Sequence, residues 1–491
     1  MVLLTRRRIF AAAAVSLLAS GAAPLTAATP PRASAAVPMS SALASLPAFI
    51  DGVVAEQIAT REVAGAVVTV VHDGRVVMSR GYGFADVGRA IPVDPARTLF
   101  RPGSVSKLFT WVALMQQIEQ GKVSMDADVN RYLDFVIPPF EGKPVLVSDL
   151  FAHTPGMSDS SGISTDDPAK VEPFTKWMKT HIPKRIWAPG TETSYSNYGA
   201  ALAGYIVQRL SGEPFADYTE RHIFKPLGMT STTFREDLPP AMRQRAALGY
   251  RFEEGRLLPQ PVEYYGVIMP AGSASAPGAD MSRFMLAMLG GGQLGGARIL
   301  SPASVRLLFS DSFANAPGLE GMAHGFMVHR LSDPHLVGHG GNTRDFHSNL
   351  VLAPSLGFGF FISMTGGEGS YLARTELTEA IIGRMFPRQP APRQAGPPPR
   401  TGSYRVNRRD YDIPAKPERD LKVTAGAPGE LKLELSGRVS QWQRIGDDTY
   451  EQVTGARAGG PYERLRFYGD ERDPRLSFSS QPHVAYHLIR P

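Results

Sequence analysis

Two hydrophobic periods divide the chain into two kinds of territory. Within 36–386, strand and helix patterns are mixed. Apolar runs 67–71 and 76–78 flank Asp73-Gly74, and that dipeptide between two apolar runs predicts a hairpin closed by a two-residue turn. Residues 108–118 carry apolar positions at helical spacing and stop near Gly121, and residues 200–210 do the same before Gly212, which predicts two helices. Runs 349–352 and 358–364, joined by a Pro/Gly turn, read as strands followed by a helix through 376–385. Strands linked by hairpins imply an antiparallel sheet, with helices before and after it. Residues 401–491 differ in kind. Leu431-Lys432-Leu433-Glu434-Leu435 alternates strictly, and short aromatic runs recur around Phe467, Phe478 and Tyr486, the mark of a small all-β domain.

Composition changes this picture at the two ends of the first territory. Thr5-Arg6-Arg7-Arg8 precedes an apolar run, 9–19, too short to span a bilayer, so 1–35 is expected to be an export signal cut after Ala35, with Leu25-Thr26-Ala27 as a rival cleavage site. Arg7-Arg8-x-Phe10 fits the twin-arginine pattern; an ordinary secretory signal is the plainer alternative. No other stretch reads as a membrane span, and the expected location is periplasmic or secreted. Residues 387–400 (PRQPAPRQAGPPPR) are rich in proline and lack acidic residues, the composition of a stiff linker. The formal charge of +6 over 491 residues hints at an acidic partner. Seven of the cations, however, are Arg6, Arg7, Arg8 and Arg32 before the cleavage site and Arg388, Arg393 and Arg400 in the linker, and the remainder sums to −1. No basic patch points to nucleic acid. The absence of cysteine excludes disulfides, thiolate metal sites, a cysteine nucleophile and a lipidated cysteine.

Three short segments carry candidate chemistry. Ser104-Val105-Ser106-Lys107 follows Pro102-Gly103 at the expected start of a helix. Lys107 then shares a face with Ser104, and a serine needs a base to become a nucleophile. A lysine serves as that base only when burial or a nearby cation lowers its pKa. Tyr195-Ser196-Asn197 lies on a loop-to-helix turn; a tyrosine beside a lysine can share its proton, and an asparagine amide can orient either partner. His339-Gly340-Gly341-Asn342 reads as an edge strand whose glycines let a substrate approach the backbone. Taken singly, each segment has a structural explanation: a capping serine, a packed tyrosine, a glycine-rich turn.

Together they resemble a family. The order S-x-x-K, Y-x-N, H-x-G is similar to that of the serine β-lactamase and penicillin-binding-protein superfamily, in the branch holding class C β-lactamases, DD-peptidases of the carboxypeptidase type and related esterases. Residues 150–157 (LFAHTPGM), 189–199 (PGTETSYSNYG), 224–229 (FKPLGM), 270–272 (PAG) and 338–341 (GHGG) extend the resemblance across about 45–386. It implies an α/β (α+β) fold, with an antiparallel sheet flanked by helices and an all-helical subdomain, ahead of the small all-β C-terminal domain. It also implies a serine hydrolase that cleaves an amide, ester or lactam through an acyl-enzyme on Ser104. Lys107 and Tyr195 would be the proton-transfer pair, either one the base. Asn197 would hold Lys107 and the substrate amide, and the N–H groups of Ser104 and Asn342 would form the oxyanion hole beside Gly340 and Gly341. His339 stands where many members carry lysine, which puts efficient penicillin hydrolysis in doubt, because histidine is mostly neutral at pH 7. Arg344, five residues on, offers a replacement charge for a substrate carboxylate.

Other signals carry less. The G-x-G-x-x-G at 290–295 follows a helical run and not a strand, so it lacks a dinucleotide-binding context. His324, His329, His335 and His347 have no metal-ligand spacing. Trp111, Trp177 and Trp187 read as core or cleft wall, and His153 as a turn residue. Neither a metal nor a cofactor is expected, the partner is a small-molecule or peptide substrate, and the oligomeric state stays open. The competing reading is a catalytically weak penicillin-binding or cell-wall-ligand-sensing scaffold that recognises its ligand through the C-terminal β domain.

Overall fold

The computed structural model describes residues 39–454 and 463–490; the export signal expected over 1–35 lies outside them. The first element is helix α1 (Met39–Ala59). By length and composition it could cross a membrane, against the expectation that no stretch beyond the export signal reads as a span. In the folded chain its Leu46, Ile50 and Val54 are buried, in one apolar cluster with strand residues such as Val68 and Ile362.

The Asp73-Gly74 hairpin forms as expected. Both turn residues have positive φ (47° and 73°), the backbone that Asp-Gly favours between two strands. It joins β1 (Gly65–His72) to β2 (Arg75–Asp86), and β3 (Ile91–Pro92) adds an edge. The other strands come from the second half of the first territory: β4 (Asp311–Phe313), β5 (Met322–Ala323), β6 (Met327–Arg330), β7 (Leu336–Asn342), β8 (Phe346–Ala353) and β9 (Phe358–Thr365). All nine form one antiparallel sheet in the order β3-β2-β1-β9-β8-β7-β6-β5-β4. Every residue of β8 and β9 is buried, because helices cover both faces of this part of the sheet.

One helical layer lies on the side of the nucleophile segment. Helix α2 (Lys107–Glu119) is buried from Lys107 through Gln117 and packs on α3 (Asn197–Ser211). Helix α4 (Gly278–Leu289) packs on β1 and β9. On the other side, α1 pairs with α5 (Glu368–Met385), which begins eight residues before the expected 376–385.

The C-terminal domain is an eight-stranded closed barrel: β10 (Gly402–Val406), β11 (Leu421–Ala425), β12 (Glu430–Leu435), β13 (Arg438–Gly446), β14 (Thr449–Thr454), β15 (Arg464–Tyr468), β16 (Arg475–Phe478) and β17 (Tyr486–Leu488). Each strand pairs with the next, and Tyr404 of β10 meets Leu488 of β17 to close the ring. The alternation in 431–435 puts Leu431 and Leu433 inside with Trp442, Tyr450 and Phe478. Closure removes the free edges that short strands would otherwise expose. The stretch 387–400 holds neither helix nor strand, and it hugs the barrel: Gln394 N–H donates to Arg444 O and Gly396 O accepts from Gly429 N–H.

Candidate active site

Ser104 sits in a tight 3-10 turn (Gly103–Ser106) that leads straight into α2. Two glycines set its position. Gly103 has φ +54°, which disfavours any side chain, and a Cβ there would lie 2.8 Å from Asn342 N. A Cβ on Gly341 would fall 1.9 Å from Pro102 O. The end of β7 therefore presses directly on the turn that carries Ser104, which brings the Ser104 and Asn342 backbones side by side. Strand β7 is an edge for only part of its length. Its first half lies between β6 and β8, but the β6 pairing stops at Gly338, so residues 339–342 keep β8 as their neighbour on one side. The other side is left to the Ser104 turn.

Lys107 is fully buried. Its Nζ donates to Asn197 Oδ1 (2.8 Å) and to Ala271 O (2.6 Å) and lies 3.0 Å from Ser104 Oγ. Thr110 Oγ1 donates to Pro270 O at 2.6 Å, which pins the 270–271 turn against α2. This gives the Pro270-Ala271-Gly272 motif a physical role: it supplies a carbonyl to the lysine. Burial, followed by the Arg408 cation, drives the Lys107 pKa well below its ordinary value, and Asp159 opposes the shift. In the neutral form two N–H bonds serve Asn197 Oδ1 and Ala271 O, atoms that can only accept, and the lone pair is left for the Ser104 hydroxyl proton. The arrangement can act as a general base on Ser104.

Tyr195 lies just before α3, whose N-terminus is capped by Ser196 Oγ accepting from Gly199 N–H at 2.9 Å. The capping residue is therefore Ser196, and this frees Asn197 to face Lys107. The Tyr195 ring is buried, and burial raises its pKa, with the nearby Ser104 hydroxyl and Arg408 pulling it back. Its Oη makes no hydrogen bond of normal geometry. Lys107 Nζ lies 4.9 Å from the ring centre, and the rings of His153 (4.3 Å), His483 (5.4 Å) and His339 (5.9 Å) surround it.

His339 is fully buried, and burial, reinforced by Lys107, pushes its pKa down to about 3. Its Nδ1 is 2.5 Å from Gly340 O. A carbonyl only accepts, so Nδ1 carries the proton and the unpartnered Nε2 is a free acceptor. The imidazole thus brings no positive charge at neutral pH. Arg344 is not a free charge either: its Nε pairs with Glu263 Oε1 at 3.1 Å, and its backbone N–H donates to Glu263 Oε2 at 2.9 Å. A substrate carboxylate at Arg344 would have to compete with Glu263.

His153 does hold a turn, at φ +54°, with Nδ1 accepting from Ser196 N–H at 3.2 Å. Its ring also lies against that of Tyr195, tilted by 31°. Trp111 and Trp177 are buried in the main core. Among the described residues no group of histidine and acidic side chains is arranged to hold a metal.

The sequence reading missed the barrel's share of the site. Tyr195 N–H donates to His483 O at 2.9 Å, and the Arg408 guanidinium lies 4.7 Å from the Tyr195 ring centre. The segment just before Tyr195 is clamped as well. Buried Glu192 accepts from Asn407 Nδ2 and pairs with Arg475 (2.8 Å) and His487 (3.0 Å), while Asn407 Nδ2 also donates to Thr193 O at 2.9 Å. Arg408 and His483 lie in connections between barrel strands, and no motif in the sequence marks them.

The family follows from this geometry and from the comparison with known proteins. The Beta-lactamase family model matches residues 50–381. The chain belongs to the Beta-lactamase family. Protein flp of Staphylococcus aureus (strain MRSA252) is 23% identical over 324 residues, covering 64% of this chain and 62% of flp. Protein Rv1367c of Mycobacterium tuberculosis is 27% identical over 308 residues, 55% of this chain and 76% of that protein. The match to flp thus spans under two thirds of that relative's length. Among solved structures, SurE superposes with a TM-score of 0.65 at 22% identity, covering 92% of this chain and 99% of SurE. The octameric penicillin-binding protein homologue from Pyrococcus abyssi gives 0.60 at 20% identity, with 90% and 99% covered. A class C β-lactamase from Rhodobacter sphaeroides gives 0.56 at 22% identity and covers 69% of this chain and 99% of its own. At these identities the structural likeness speaks for the fold. Coverage of 90% or more takes in the barrel as well as the part matched by the family model.

Proposed function

We propose that this protein is an exported serine hydrolase that opens an ester or amide bond through an acyl-enzyme on Ser104. The observation that carries the reading is the Lys107 amine, stripped of water, held by two pure acceptors and left with one direction open, 3.0 Å from Ser104 Oγ. Ser104 Oγ attacks the substrate carbonyl as its proton passes to Lys107 Nζ, and the N–H groups of Ser104 and Asn342 take up the charge on the oxyanion. When the bond to the leaving group breaks, the proton returns to that group by way of the lysine and the Tyr195 hydroxyl. Water then attacks the acyl carbon, its proton passes through Lys107 to Ser104 Oγ as the C–Oγ bond breaks, and the acid product leaves with Ser104 restored. Burial opposes ionisation of Tyr195, so Lys107 is the resting base and Tyr195 the shuttle.

Small esters and D-amino-acid peptides are the favoured substrates, with β-lactams acylating slowly. The neutral His339 and the paired Arg344 support that order, because a β-lactam carboxylate finds no ready cation at either position. One structural relative, SurE, has been solved with D-Leu, which supports trying D-amino-acid substrates first. The basic, apolar start of the sequence supports export to the periplasm or beyond.

The test is turnover of a panel of chromogenic esters, a cephalosporin and D-Ala-D-Ala peptides by the wild type and by Ser104→Ala. Ester or D-peptide turnover lost in the variant is expected. No turnover of any member by the wild type would contradict the reading.

A further inference from the structure

One of the places where the barrel meets the rest of the chain is the Tyr195 ring. Facing Tyr195 and Lys107 are Ser104 from the turn before α2, Asn197 from the start of α3, His153 and Asp159 from the 150s loop, His339 from β7, and Arg408 and His483 from the barrel. Burial keeps the three imidazoles neutral: His339 and His483 are pushed down to about 3, and His153 is lowered too. The guanidinium of Arg408 is the cation that the barrel adds to this set. Its Nε is paired with Asp159 Oδ2 at 3.0 Å, and the Asp159 backbone is tied to the barrel by its N–H donating to Arg409 O at 3.0 Å.

We propose that Arg408 is a positioning residue for the reaction, a cation delivered by the C-terminal barrel onto the face of Tyr195 that keeps the Lys107–Tyr195 pair in its proton-accepting form. A positive charge there disfavours a second cation at Lys107 and favours any negative charge on the Tyr195 oxygen, so both influences act in one direction. Its influence on Lys107 and on Tyr195 exceeds that of Asp159, which acts with the opposite sign on both. The backbone bond from Tyr195 to His483 O and the clamp on Glu192 keep the ring under the guanidinium. The barrel is thus part of the catalytic centre. This inference rests on the proposed acyl-enzyme chemistry.

The sign of the effect gives the test. Second-order labelling of Ser104 by a fluorophosphonate is followed by intact mass in the full-length protein, over about pH 5 to 9, in the wild type, Arg408→Met, Arg408→Lys and Asp159→Asn. Arg408→Met is expected to move the acid limb of the rate to higher pH and to slow labelling at the foot of that limb by about threefold to tenfold. Arg408→Lys, which keeps a cation, is expected to stay near the wild-type limb. Asp159→Asn is expected to move it to lower pH. If Arg408→Met fails to fold, the Lys and Asn variants still decide: a Lys limb displaced as far as a full loss of charge, or an Asn limb shifted upward, would overturn the proposal. Equal limbs in wild type and Arg408→Met, or loosened variants that all shift one way, would overturn it as well. Absence of Ser104 labelling in the wild type would instead strike the underlying function.

Discussion

Lys107 is an amine placed where no water reaches it, and the surrounding groups decide what it can do there. A buried ammonium is costly unless it is paired with a negative charge. Here its close partners are neutral: an amide oxygen, a backbone carbonyl and a hydroxyl. Losing the proton relieves the cost, so the same burial that strains the charged form creates the base. The working state is the neutral one. Activity should therefore hold above the lowered pKa of Lys107 and fall as pH drops through it, with that limb lying well below the ordinary lysine range. Lys107→Met should cut kcat/KM by about 10²–10⁴-fold, and Lys107→Arg should fail to rescue it, because a guanidinium does not give up its proton. A pH–rate profile on an ester substrate checks both; an unshifted activity in Lys107→Arg would count against the lysine as base. Ser104, Lys107, Tyr195 and Asn197 were legible in the sequence because each sits in a short motif whose spacing is local. Ala271 O was not, since a backbone carbonyl leaves no trace in residue type. The pairing of Arg344 with Glu263 was not legible for a related reason: the two lie 81 residues apart.

At the scale of elements, β7 does two jobs with one stretch of chain. Its first half is an interior strand, and its second half, freed from β6, becomes the wall against which the nucleophile turn is pressed. The contact tolerates no side chain at Gly341, where a Cβ would meet Pro102 O at 1.9 Å. Gly341→Ala is expected to lower stability by about 1–3 kcal/mol through forced displacement and to slow Ser104 labelling far more than that loss alone would explain, because the oxyanion donors separate. Thermal unfolding together with labelling rate checks this; normal labelling in a folded variant would show that the close approach does not position Asn342. The pattern of glycines was visible in the sequence, and so were the Asp73-Gly74 hairpin and helices α2 and α3. The partial edge was not visible, because it depends on how short β6 is. For helix α5 the turns preceding the expected start were hidden. Ser370, Ala373 and Arg374 there are buried against the sheet, yet their small or charged side chains give no apolar stripe.

At the scale of the molecule, the two folded domains of the described chain share one site. Alternation and aromatic recurrence identified the C-terminal part as all-β, and closure into a barrel follows from the pairing of Tyr404 with Leu488. Its role in the site could not be read from the sequence. Arg408 and His483 are separated from Tyr195 by 213 and 288 residues, and what unites them is the docking of the barrel through Asn407, Arg475 and His487 onto Glu192. Ser104 Oγ is the atom expected to form the covalent bond, and intact mass after fluorophosphonate treatment, followed by peptide mapping, reads that bond itself. A single adduct is expected on the peptide containing Ser104, present in the wild type and absent in Ser104→Ala; an adduct that persists in Ser104→Ala, or none in a folded wild-type protein, would rule out Ser104 as the nucleophile.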